Sequence, residues 1–260
     1  MKLKTIVNEL VRTDWRDLKA QRSAMCNAEE VMDFFGEGTD IRTINYKKIT
    51  EFITTLEEKG NKGGTVNRRL AALSKMYTVA MKHDPKINRP IIPRQKEGKP
   101  RQRVLTAAEA EALINWPWKK AEHRDLTVVL IDTGCRPSEI TDGVWSLDGD
   151  VLTFSDTKNG DDRFVLLTPD AQAAAERLVG VSLDYDAYYH QFKKARAGLK
   201  LTDVVVYTIR HTALTNLAER VDNPLLIQKW AGHRNLATTQ RYVKQTRKGM
   251  EKLAAALRRS

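Results

Sequence analysis

Residues 207–242 read YTIRHTALTNLAERVDNPLLIQKWAGHRNLATTQRY, and the rest of the chain is understood outward from them. Tyr207, Arg210 and His211 stand at the head of a helix-like segment. Gly232-His233 follows, and Tyr242 comes nine residues after the histidine. Arginine, histidine and tyrosine are what a metal-free phosphoryl transfer needs: a permanent cation for phosphate oxygens, a hydrogen-bond donor and a hydroxyl nucleophile.

Upstream, three further features align with this segment. Thr133-Gly134-Cys135-Arg136-Pro137-Ser138-Glu139 closes an apolar helical run, HRDLTVVLIDTG. The period then changes from helical to two. Trp145–Leu147 and Val151–Phe154 flank Asp148-Gly149-Asp150, a hairpin signal. A second turn, Thr157–Asp161, carries Lys158 and leads to Arg163–Leu167, giving a small three-stranded antiparallel sheet. Helices are expected again over Pro169–Val179 and from about Asp184 to Gly198. At the start of this region Thr106 and Glu109 have the spacing of a capping box.

These boxes, in this order, resemble the tyrosine recombinases, the phage integrase family. In that family a Thr-Gly-x-Arg-x-x-Glu box, a turn lysine, a His-x-x-Arg-His box, a Gly-His pair and a tyrosine make one site. The resemblance implies that Arg136 and Arg210 grip a DNA phosphate, since guanidinium stays ionised and forms bidentate charge-assisted bonds. It implies that Tyr242 attacks to give a 3′-phosphotyrosyl bond, that Lys158 protonates the leaving oxygen, and that His233 donates to a non-bridging oxygen or assists Tyr242. Glu139 would orient Arg136, and His211 would support the site. The chain departs from the pattern at Tyr207, where the family has histidine; a phenol can donate a hydrogen bond but carries no positive charge at neutral pH. No Asp, Glu, His or Cys cluster at metal-ligand spacing accompanies these residues, so no metal or cofactor is expected and strand cleavage should proceed in chelator.

Composition agrees with a polyanionic partner. The formal net charge is +11 over 260 residues, and residues 1–100 supply +7 of it, from 20 Lys+Arg against 13 Asp+Glu. Two distant cysteines, Cys26 and Cys135, indicate neither a disulfide framework nor a zinc site. There is no signal-peptide pattern and no membrane-length apolar run, so a cytoplasmic, DNA-associated protein is expected.

The N-terminal region reads as helices. Asp14 is taken as the cap of a helix from Trp15 to Phe35, with Leu18, Met25, Val31, Phe34 and Phe35 inward and Gly36 as its stop. Met1–Thr13 is read as a strand or an arm. A helix follows from about Asn45 to Lys59, and another opens at Thr65, with Arg68, Arg69 and Lys75 off its apolar stripe as candidate DNA contacts. DPKINRPIIPRQKEGKPRQR, residues 84–103, has four prolines and, from Arg89 onward, six Lys/Arg against one Glu. It marks a domain boundary. Arg94, Lys96, Lys99, Arg101 and Arg103 could follow a nucleic-acid backbone there.

The fold class expected is mainly α with a small antiparallel β-sheet, in two domains. These are a helical DNA core-binding domain over 1–88, a basic Pro-rich linker over 89–103, and a catalytic domain over 104–260. The tail Thr246–Ser260 is read as a short helix donated to a neighbouring protomer. The function implied is a site-specific recombinase of a phage or mobile element. It would act as a homotetramer on two duplexes bearing double-stranded attachment sites, with accessory DNA-bending or directionality proteins as further partners. Two alternatives use the same residues: a non-catalytic DNA-binding protein of the same fold, and a type IB topoisomerase-like enzyme.

Overall fold

The computed structural model describes residues 1–16, 21–98, 103–155 and 162–242. It forms two compact units, Met1–Pro100 and Arg101–Ser260. Leu18, Lys99, Arg101, Lys158 and the tail from Thr246 lie outside the described residues.

The first unit is helical. α1 spans Leu3–Arg12, where a strand or arm is expected from sequence. Leu3, Ile6, Val7 and Leu10 are all buried at the i, i+3, i+4, i+7 spacing of one helix face. Packing of this stripe overrides the lack of a good N-cap. Thr13 ends the helix, and Trp15 turns back so that its amide reaches the Leu10 carbonyl at 2.7 Å. Asp14 is therefore no helix cap: it lies in this turn and pairs with Lys75 at 3.3 Å. The next helix, α2, is described from Gln21 to Phe35 and buries Ala28, Val31 and Met32, while Phe34 is exposed. Gly36 stops it with φ +91°.

α3 spans Tyr46–Glu58, and the Asn45 side chain caps it by accepting from the Lys48 amide. α4 spans Gly63–His83, two residues earlier than Thr65. Residues 95–97 pass close to its first turn, where a Cβ on Gly63 would collide with the Lys96 carbonyl. Tyr77, wholly buried on α4, donates to the carbonyls of Ile41 and Ile44. Burial pushes its phenol up to about 12.

In the second unit α5 is Ala107–Ile114, capped by both bonds of the Thr106–Glu109 box. α6, Ala121–Thr133, is buried along nearly all its inner turns and carries the central core. α7, Pro137–Thr141, follows at once. β1 (Val144–Asp148), β2 (Val151–Ser155) and β3 (Arg163–Leu166) make an antiparallel sheet in sequence order. Val151 pairs with Asp148 and with Leu166, and Phe154 pairs with Trp145 and Arg163. Leu152, Phe154 and Val165 point into the core. Gly149, at φ +55°, supplies the hairpin turn.

α8 (Pro169–Leu178) packs on α6, and α9 (Tyr185–Gly198) buries Tyr188 and Phe192. α10 is Val206–Arg220, α11 Pro224–Ala231 and α12 Leu236–Gln240. Together, the described elements are mainly helical with one small sheet, as the sequence pattern indicates. No helix among the described residues is long and apolar enough to cross a membrane.

Candidate active site

Four chain segments meet at one place: the α6–α7 junction, the first turns of α10, the α11–α12 turn and the end of α12. Gly134 ends α6 with φ +64°. A Cβ there would stand 2.9 Å from that of Ala213 on α10, so glycine permits the close approach of the two helices. Trp230 on α11 donates its indole N–H to the Thr133 carbonyl at 2.8 Å, fastening the third segment to the first.

Arg136 stands at the N-cap of α7. Its Nη1 donates to Glu139 Oε1 at 2.9 Å, and its amide donates to Glu139 Oε2 at 2.6 Å. Its Nη2 donates to the Gly232 carbonyl at 3.2 Å. Glu139 thus holds the guanidinium in place and occupies an orphan amide of α7 at the same time. The Arg136 side chain remains 18% exposed.

Arg210 is different. It is 2% exposed. Nη1 donates to the Gly134 carbonyl at 2.7 Å, and Nη2 donates to the Ala231 carbonyl at 2.7 Å. Nη2 also meets His233 Nε2 at 3.0 Å. Since guanidinium only donates, Nε2 is the acceptor and the histidine proton sits on Nδ1, which donates to Thr239 Oγ1 at 3.0 Å. Desolvation, helped by the charges of Arg210, Arg136, Arg163 and Arg241, lowers His233 to about 4. Desolvation also lowers Arg210 from its ordinary value, with Arg136 adding to the effect.

Gly232 ends α11 with φ +63°, and the His233 amide returns to the Gln228 carbonyl at 3.1 Å. Tyr242, just past α12, lays its ring parallel to His233 at 6.0 Å and against His211 at 5.1 Å. Burial raises its phenol above the ordinary range, and the charges of Arg210, Arg241 and Arg136 only partly offset this. The hydroxyl is therefore protonated in the free chain at neutral pH. Tyr207 is 56% exposed on the first turn of α10, three residues before Arg210.

Arg136, Glu139, Arg210, His211, His233 and Tyr242 are thus brought into one cluster, and the exposed Tyr207 is near enough for its phenol to act electrostatically on Arg210 and Tyr242. Lys158 lies outside the described residues. Sequence reading missed Arg163. It opens β3, its side chain is 8% exposed, and Nη2 donates to Glu139 Oε2 at 2.6 Å. A signal existed: strand alternation puts Arg163 on the same face as core residue Val165, and a buried arginine requires an acid partner.

The proposed DNA cations of the first unit separate by environment. Arg69 meets Glu30 at 3.5 Å and Lys75 meets Asp14 at 3.3 Å, so both already have carboxylate partners within the unit. Lys59 and Arg69 hold the Glu30 carboxyl below its usual range. Arg68 is exposed and lines a groove between α4 and residues 92–97, together with Asn67, Arg94 and Glu97. Arg94 pairs with Glu97 at 3.0 Å, and Lys96 is exposed. The extended segment is anchored on α4 by two bonds between Asn67 and Gln95, at 2.9 and 2.8 Å. Arg103, in the second unit, pairs with Glu109 at 2.5 Å and Asp203 at 2.8 Å.

The His233 environment makes a titration prediction. Its folded pKa is about 4 against an ordinary 6.5. Between these values the unfolded chain binds the extra proton, so stability from this group is full above pH 6.5 and is lost as pH falls toward 4. Nuclear magnetic resonance of the imidazole carbons should show no His233 transition from pH 6 to 8 in the free chain. A phosphodiester bound beside Arg210 and Arg136 would bring negative charge near His233 and should move its pKa upward. A free-chain transition near 6.5 would contradict this arrangement.

Residues 103–248 match the phage integrase family, and residues 28–84 match the phage integrase N-terminal SAM-like domain. The tyrosine recombinase XerA of Saccharolobus solfataricus is 27% identical over 235 residues, 82% of this chain and 78% of that protein. The Tn1549 transposon integrase, solved with transposon right end DNA, matches with a TM-score of 0.78 at 16% identity over 99% of both chains. Lambda integrase, solved as a tetramer bound to a Holliday junction, matches with a TM-score of 0.74 at 15% identity, over 94% of this chain and 78% of that one. The likeness to these two structures is one of fold. The family match takes in more than half of the chain, including every box of the site, and the chain belongs to the phage integrase family, the tyrosine recombinases, as a DNA strand-exchange enzyme.

Proposed function

We propose that the chain is the integrase of a phage or other mobile element, cutting and rejoining double-stranded attachment sites through Tyr242. The observation that carries this is the meeting of Arg136, Arg210, His233 and Tyr242, from four separate segments, in one cluster. A structural network alone would have no use for a half-buried phenol against a neutral histidine and two guanidiniums.

The chemistry follows from these groups. Tyr242 Oη attacks the phosphorus, the bond to the 5′ oxygen breaks, and a 3′-phosphotyrosyl ester forms. The phenol passes its proton to His233 Nε2 or to water, and the departing oxygen gains one from Lys158. The ester energy is kept, so a free 5′ hydroxyl can reverse the step on the same or another strand. Charge growing on the non-bridging oxygens is met first by Arg136, the more exposed guanidinium. Arg210 adds its charge beside it, and makes direct contact by turning Nη2 donors now given to the Ala231 carbonyl and His233 toward the phosphate. That exchange frees His233 Nε2 to take part. Residues 1–88 serve as the DNA core-binding unit, residues 89–103 as a basic connector and residues 104–260 as the catalytic unit. Arg68 and Lys96, both exposed, and Arg94, exposed though paired with Glu97, are the first-unit cations placed to meet DNA. Recombination between two sites requires four active chains on two duplexes, with accessory DNA-bending proteins as possible partners.

The test is trapping. Incubation with a nicked attachment site, from which the 5′ fragment diffuses away, should accumulate a covalent protein–DNA adduct on Tyr242. DNA bound with no adduct would favour the non-catalytic DNA-binding alternative, and relaxation of plasmid lacking any site would favour the topoisomerase-like one.

Tyr207 gives a second expectation. Histidine at 207 would put a titratable cation one helical turn from Arg210. Tyr207→His should speed single-turnover cleavage by roughly three- to tenfold, the effect of one partly screened charge near a phosphate. The gain should be larger at pH 6 than at pH 8, because imidazolium is lost as pH rises. Slower cleavage at pH 6 would contradict it.

A further inference from the structure

Arg163 touches this machinery from beneath. Glu139 has two carboxylate oxygens. Oε1 accepts from Arg136 Nη1 at 2.9 Å, while Oε2 accepts from the Arg136 amide and from Arg163 Nη2, both at 2.6 Å. The Arg163 guanidinium lies 4.3 Å from the Phe154 ring centroid, which fixes its plane. It also fills the space under the α11–α12 turn. A Cβ on Gly232 would stand 2.6 Å from Arg163 Nε and 2.8 Å from Cδ. Only glycine lets the turn settle on the arginine, and the Gly232 carbonyl then accepts from Arg136 Nη2 at 3.2 Å. Among the described residues Nε and Nη1 have no hydrogen-bond partner, although both are buried. A side chain buried at this cost to its donors is held by what it supports.

We propose that Arg163 is a positioning residue for strand cleavage, holding Glu139 and the Gly232–His233 turn so that Arg136 keeps a fixed and uncancelled charge. The inference rests on the strand-cleavage reading above. Arg136, Glu139 and Arg163 together carry one net positive charge. Without Arg163 the carboxylate faces Arg136 alone, and the pair is neutral where a phosphate must be gripped. The turn that carries His233 also loses the surface it rests on.

The test compares wild type, Arg163→Lys, Arg163→Met and the double variant Arg163→Met/Glu139→Gln. Each is read by site-DNA affinity, adduct rate on a nicked site and amide hydrogen exchange. Arg163→Met should bind DNA within about twofold of wild type and form adduct roughly a hundredfold more slowly, the effect of a small misplacement of a reacting group. Arg163→Lys keeps the charge but neither the planar fork nor the stack on Phe154, and should lose about tenfold. Removing the carboxylate charge should help: the double variant should cleave faster than Arg163→Met despite lacking one more native ion pair. A merely structural role predicts the reverse. The amides of Arg136, Gly232 and His233 should exchange faster in Arg163→Met, which reads the packing whether or not strands are cut. Wild-type cleavage in Arg163→Lys, a double variant slower than Arg163→Met, or unchanged exchange at these three amides would each overturn the proposal. Failure of wild type itself to form an adduct would count against the recombinase reading, and the exchange result would still decide the role of Arg163.

Discussion

Tyr242→Phe should bind attachment-site DNA as wild type does and form no covalent adduct. The ring is what holds this position in the fold, parallel to His233 at 6.0 Å and against His211 at 5.1 Å, and phenylalanine preserves it. In the proposed reaction the hydroxyl is the attacking group, because no other atom of that side chain can displace a sugar oxygen. Its loss should lower the cleavage rate by about 10⁴-fold or more, the order seen when a nucleophile is removed from a site whose other groups persist. Thermal midpoint should change little. The same reasoning fixes the pH dependence of wild type. The phenol is raised above its ordinary range by burial, so the phenolate fraction grows through pH 7–9 and single-turnover cleavage should rise with it. An adduct in Tyr242→Phe that maps to the exposed Tyr207 would move the nucleophile to α10. Unchanged recombination would remove the covalent step altogether.

What could be read from the chain beforehand divides along a physical line. Local signals survived folding. Thr106 and Glu109 make both bonds of a capping box, and Gly149 turns the hairpin between strands of alternating pattern. α1 was equally legible, since Leu3, Ile6, Val7 and Leu10 share one face; the missing cap hid it. Non-local partners were not legible. Nothing in the spacing of Arg69 or Lys75 announces Glu30 or Asp14, far off in sequence, yet those acids pair with both cations within the unit. Likewise the motifs name Arg136 and Arg210 as equals, whereas tertiary packing leaves one partly exposed and buries the other. Arg163 fell between the two cases. Its inward register on β3 was readable, but its acid lies 24 residues earlier, on α7.

That inequality between the two arginines sets the last expectation. Arg210 ties α10 to the Gly134 carbonyl after α6 and to the α11–α12 turn, through the Ala231 carbonyl and His233 Nε2. All three acceptors are satisfied by one planar fork buried to 2% exposure. Arg210→Met would leave them without donors, at about 1–3 kcal/mol for each buried unsatisfied group, and should cost several kcal/mol of stability. Arg210→Lys is the sharper experiment. One ammonium cannot span the fork, so the variant should melt below wild type but fold. Its cleavage rate, measured on folded protein, should fall by about 10³-fold or more, since a phosphate would find no second bidentate cation and His233 would lose the donor that sets its tautomer. The His233 pKa should also rise from about 4, because the nearest positive charge that lowers it has moved. A lysine variant that melts early yet cleaves at the wild-type rate would make Arg210 a structural clamp only, and would leave Arg136 to hold the phosphate alone.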